Sequence, residues 1–146
     1  MIQRLQSVFL LVCSACLGGT FALPYADTDT PVPGTLFADG VYSNTDLAAL
    51  AGLVAVLALM AFATIFLFRN RKLQLRLTTA TTLGIVAAIA LAVGYFMSAS
   101  QELGDAVAVD DEPGLFLPVA ALVSSILAGR YIRADEKLVR SADRLR

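Results

Sequence analysis

The sequence predicts an all-α membrane protein: four transmembrane helices in an up-down bundle, both termini cytoplasmic, with a C-terminal amphipathic helix. Three observations predict it. The first is composition, since 58% of the 146 residues are hydrophobic and only 16% charged, whereas charged residues make up about a quarter of an average soluble domain. The second is that charge is missing from long windows. Leu47 to Phe68 and Leu77 to Gln101 contain none, and at about 1.5 Å per residue either window crosses a hydrocarbon core of about 30 Å. The third is segregation of sign. All 11 cations sit before the first helix (Arg4), between the second and third (Arg69, Arg71, Lys72, Arg76), or at and beyond the end of the fourth (Arg130, Arg133, Lys137, Arg140, Arg144, Arg146). The remaining two loops hold acids only: Asp27, Asp29, Asp39 and Asp46 in one, Glu102, Asp105, Asp110, Asp111 and Glu112 in the other. Lys and Arg are costly to translocate, so the cationic segments face the cytoplasm.

The first helix is expected over about residues 5–25. Its basic start, apolar middle and Thr20-x-Ala22 site also fit a cleavable signal peptide. Cleavage would leave three helices in the same orientation, but the apolar run continues past that site to Leu23, which favours an uncleaved helix. The outer loop, 26–46, contains Pro31, Pro33 and then LFADGVY, where Asp39-Gly40 between apolar pairs is a hairpin signal. The second helix follows at 47–68 and a cytoplasmic loop at 69–76. The third helix, 77–99, carries Ala80, Gly84, Ala88 and Ala92 at four-residue spacing. In the second outer loop, 100–113, Val107 and Val109 suit a further strand. The fourth helix, 114–132, has Pro118 near its start, where a missing N–H costs least, and then Ala121, Ser125 and Gly129. Small residues so spaced let helix backbones approach closely. They serve either closure of the chain's own bundle or docking onto another membrane subunit.

Little in the sequence points to chemistry. The chain has no His, which removes His-based acid–base catalysis and most zinc sites. No ionisable acid or base lies in the middle of a span, where transporters and pumps usually place one. Asp110, Asp111 and Glu112 read as a solvated acidic loop before a divalent cation site. Cys13 and Cys16 form a C-x-x-C pair on one helical face. The pair is similar to the one that vitamin K epoxide reductase enzymes carry on a helix of a four-helix bundle. Those enzymes also need relay cysteines in an outer loop, and this chain has only these two. No catalytic, cofactor-binding or metal-binding residues are therefore expected.

The tail, 133–146, reads as helix. At 100° per residue Tyr131, Ala134, Leu138, Ala142 and Leu145 share one narrow face, with Arg133, Lys137, Arg140 and Arg144 as a stripe roughly opposite. Asp135, Glu136 and Asp143 fall on the other flank. A helix lying on anionic lipid carries cations on both flanks, so this lopsided surface suits a protein partner better. Nucleic acid is not expected, because the acids offset the cations.

Three stretches, MIQRLQSVFLL, FLFRNRKLQLRL and IRADEKLVRSADRLR, together resemble a family of small four-helix inner-membrane proteins of Bacteroidota known only as a domain of unknown function. The resemblance implies fold and a multi-pass place in the bacterial inner membrane, and brings no catalytic residues. The expected function is a non-enzymatic accessory or scaffold subunit in the lipid bilayer. It would dock a cytoplasmic or membrane protein through Arg69, Arg71, Lys72, Arg133, Lys137, Leu138, Arg140, Arg144 and Leu145. The alternatives are small-molecule transport or binding within the bundle, and a thiol–quinone redox enzyme using Cys13 and Cys16.

Overall fold

The computed structural model describes residues 2–29, 31, 37–103 and 109–143. Four helices carry the fold: α1 (Ile2–Gly19), α2 (Ala48–Ile65), α3 (Arg71–Leu103) and α4 (Phe116–Asp143). Each packs on the helix before and after it, and α1 closes the ring on α4. Among the described residues, three helices are long and apolar enough to cross a membrane, α2, α3 and α4, while the apolar part of α1 is the shorter Leu5–Gly19.

Local chemistry sets the ends. Gly18 and Gly19 weaken helix propensity, and α1 stops at Gly19, short of the expected end near residue 25. The Thr20 hydroxyl donates to the Leu17 carbonyl at 2.7 Å, capping that end. Before α2, Ser43 and Asp46 form a capping box: the Ser43 N–H donates to Asp46 Oδ2 at 2.6 Å and Ser43 Oγ accepts from the Thr45 N–H at 3.3 Å. Asn70 caps α3 by accepting from the Leu73 N–H at 3.2 Å. That cap starts α3 at Arg71 and draws Arg71–Arg76, expected in a loop, into the first turns. With 33 residues, α3 is about 50 Å long. The tail likewise continues α4 without a break, so the helix expected over 114–132 and the amphipathic segment after it are one element.

Both acidic loops meet in a small antiparallel sheet. β1 (Ala26–Thr28) lies between β2 (Val41–Tyr42) and β3 (Val109–Asp111). Ala26 pairs with Tyr42 on one side and Asp111 on the other. The expected turn at Asp39-Gly40 is present, with Gly40 in the left-handed region at φ 83°. The partner strand differs from the expected one: Val41 and Tyr42 pair with Asp27 and Ala26, not with the segment just before the turn. A strand at Val109 is also present, while Val107 lies outside the described residues. Since strands from both loops share one sheet, the two acidic loops occupy one end of the bundle and the α2–α3 turn the other.

The core runs from Leu10 and Leu17 through Leu50, Val54, Leu57, Ala61 and Ile85 to Ala121 and Ala128, all almost fully buried. Tyr25, Phe37 and Tyr42 are buried at its acidic end. Tyr42 lies 5.6 Å from Tyr25 and 6.0 Å from Phe96, ring centre to ring centre, and its hydroxyl donates to the Ala92 carbonyl at 2.9 Å. Burial first, then the nearby Tyr25, Asp46 and Tyr95, push the Tyr42 phenol up to about 12, so it stays a donor.

Candidate functional site

At the basic end, the α2–α3 turn and the first turn of α3 present Arg69, Arg71 and Lys72, and the last turns of α4 present Arg133, Lys137 and Leu138. Arg71 joins the two segments. Its Nη2 lies 3.1 Å from Asp135 Oδ2, and its Nη1 donates to the Asp135 backbone carbonyl at 3.3 Å. This contact spans 64 positions of sequence and holds the turn against the helix tail. It also removes Asp135 from the acidic flank expected of the isolated helix. Arg69, Lys72, Arg133 and Lys137 remain exposed, so the platform shows cations outward.

The apolar stripe of the tail changes role along its length. Tyr131 stacks on Phe9 of α1, with ring centres 5.4 Å apart and planes 10° apart. Two turns later, Leu138 is 55% exposed and its neighbour Val139 43%. The same face thus anchors α4 to the bundle and then emerges from it. Arg140 lies on α4; Arg144 and Leu145 lie outside the described residues.

The small residues of α3 and α4 do not all meet a neighbouring helix. A side chain on Gly84 would run into Leu57 of α2, and Ala88 is buried. Ala92 supplies the carbonyl that Tyr42 binds. Ala121 and Ser125 are fully buried, and Gly129 faces Thr78. Ala80, by contrast, is exposed, because four-residue spacing drifts about 40° per step around a helix of 3.6 residues per turn. Ser125 reaches across to Thr82, oxygen to oxygen 2.5 Å.

Cys13 is buried and Cys16 half-buried, and both are free thiols. Cys13 sits in the main apolar cluster beside Leu17 and Cys16 packs against it. Among the described residues no group of three or more His, Cys, Asp or Glu could hold a metal ion.

Two concavities between α3 and α4 were not legible as sites. A cavity of about 330 Å³ lies beneath the sheet, lined by Tyr25, Tyr42, Phe96, Phe116 and Val119 among others. A groove of about 200 Å³ lies at the basic end, lined by Thr79, Thr82, Ser125, Arg130 and Arg133 among others. The hydroxyl run TTATT and the Arg beside Gly129 are the sequence signals for the groove; the cavity mixes residues from four segments and leaves none.

A family model described as Domain of unknown function (DUF4293) matches residues 2–145. No curated protein and no solved structure matches the chain.

Proposed function

This chain belongs to that family of unknown function, and we propose that it is a non-enzymatic, multi-pass protein of the bacterial inner membrane that docks a protein partner on its basic cytoplasmic face. All four helices span, α1 with the shortest apolar stretch, and both termini lie in the cytoplasm. Segregation of the cations supports that orientation, since the basic turn and the α4 tail share one end. The observation that carries the docking reading is the Arg71–Asp135 contact, 3.1 Å between charged groups. It fixes two distant cationic segments as one surface and turns an acid inward, leaving Arg69, Lys72, Arg133 and Lys137 to meet an acidic partner beside the emerging apolar stripe. Complementary charge sets register and approach, and covering the emerging apolar residues adds affinity by removing them from water.

Leu138→Asp combined with Lys137→Glu tests the reading. Crosslinked pull-down from native membranes should recover a defined protein with the wild type and lose it with this variant, while membrane insertion stays intact. Equal recovery from both would remove the docking role. A second reading, binding of a small apolar molecule, is supported by the cavity of about 330 Å³ beneath the sheet. An apolar compound extracted stoichiometrically from the purified protein would favour it.

A further inference from the structure

The groove between α3 and α4 at the basic end has a different chemistry at each level. The contacts of Thr82 with Ser125 and of Gly129 with Thr78 set the antiparallel register of the two helices. In that register Leu83 and Ile126 lie toward the middle of the bundle, Thr79 lies near the level of Gly129, and Arg130 and Arg133 lie toward the basic end. All six residues line the same groove of about 200 Å³. Both arginines are exposed, and among the described residues neither is in an ion pair; Asp135 pairs with Arg71 instead.

We propose that this groove binds one anionic glycerophospholipid, its phosphate on Arg130 and Arg133, an ester oxygen on Thr79 and an acyl chain along Leu83 and Ile126. The proposal rests on the membrane-spanning part of the reading above and not on the docked protein. The register supplies the depth. Gly129 ends the charge-free stretch of α4 and Leu77 begins that of α3, so the groove crosses the boundary between hydrocarbon and headgroups. Guanidinium groups at that boundary match phosphate with paired, charge-assisted hydrogen bonds.

The hydroxyls fit the level just below. Thr79 donates to the Leu75 carbonyl at 2.9 Å and Thr82 to the Thr78 carbonyl at 2.8 Å. Those carbonyls lie within α3, where backbone N–H groups already satisfy them. The exposed Thr79 hydroxyl can therefore turn to a lipid ester oxygen and leave no backbone group unpaired. With its proton given to Thr78, Thr82 accepts from Ser125, and the pair forms a fixed floor. A zwitterionic lipid would bring its ammonium group against two arginines in a groove whose lining holds no acid, so the groove selects for net negative charge. A protein helix without acids would fill the apolar level but leave both arginines without a counter-charge.

Native mass spectrometry of the full chain in mild detergent tests this, with phosphatidylglycerol and phosphatidylcholine of matched acyl chains supplied together. The wild type should retain phosphatidylglycerol over phosphatidylcholine by about fivefold or more, from the attraction of cations near the headgroups. Arg130→Gln with Arg133→Gln should bring that ratio near one. Arg69→Gln with Lys72→Gln, which removes equal charge outside the groove, should leave it unchanged. If the arginine variant does not fold, Leu83→Trp, which fills the apolar level, should reduce retention of both lipids. Excess inorganic phosphate should not displace the lipid. A wild-type ratio near one, displacement by phosphate, or equal losses from the two charge variants would each overturn the proposal.

Discussion

The acidic and basic ends of the bundle are held by different kinds of contact. At the acidic end, backbone meets backbone. Three strands from two loops pair, the Glu112 N–H donates to the Tyr25 carbonyl at 3.1 Å, and a cluster of rings packs beneath. Gly114 lies so close to the carbonyls of Leu23 and Pro24 that a methyl group would overlap them. At the basic end two helices run on past their apolar windows, and the turn and the tail are tied by the side chain of Arg71. Closure pairs strand backbone at the first end and leaves its surface acids as a solvated rim. The open construction of the second leaves cations and apolar side chains pointing outward, where another molecule can use them.

Breaking the closed end should cost most. Gly114→Ala places a Cβ against two backbone carbonyl oxygens that cannot rotate away, and about 3 kcal/mol of stability should be lost. Thermal unfolding in detergent would read this as a large drop in melting temperature. Gly18→Ala provides the control, since nothing lies within 4 Å of that position; equal melting of the two variants would mean that the loops do not close as described. Gly84→Ile should cost somewhat less, about 2 kcal/mol, because the obstructing atoms belong to the Leu57 side chain, which can partly yield. Wild-type melting would show that α2 and α3 do not meet there.

Tyr42 sharpens the comparison at a smaller scale. Tyr42→Phe removes the hydrogen bond to the Ala92 carbonyl and should cost about 1 kcal/mol at neutral pH. The pH dependence gives a second reading. Burial raises the phenol from 10.0 to about 12, so the fold prefers the neutral form. Its contribution is complete below the unfolded value and is lost as pH rises through about 12. Wild type should lose stability between pH 10 and pH 12 more steeply than Tyr42→Phe in denaturant titrations; parallel curves would place the phenol in water.

Helix number and the segregation of charge could be read from local pattern, because apolar runs and the distribution of Lys and Arg are properties of consecutive residues. Asp39-Gly40 likewise announced its turn, since only a few residue types tolerate a positive φ there. What pairs with Val41 and Tyr42 could not be read. Ala26, Asp27 and Thr28 show no alternation of apolar and polar residues, and Asp27 lies directly opposite Asp110, a like-charge pair that local preference disfavours. Tertiary closure overrides it. Hydropathy also ended the third helix at the edge of the apolar window, although Asn70 and the good helix formers after it continue the helix beyond that edge. Arg71 was visible as a cation, but its partner, 64 positions away, was not. The amphipathic face of the tail was legible, yet its packing on Phe9 depends on where α1 begins.

The difference between the two ends is tested most directly by matched charge reversal. Lys72→Glu with Lys137→Glu alters the open end, and Asp39→Lys with Asp110→Lys alters the closed one. Each changes two exposed groups without touching the core. Crosslinked recovery of the partner from native membranes should vanish with the first pair and persist near the wild-type level with the second. Recovery that survives reversal at the basic end, or is lost only on reversal at the acidic end, would contradict the assignment of the basic face as the docking surface.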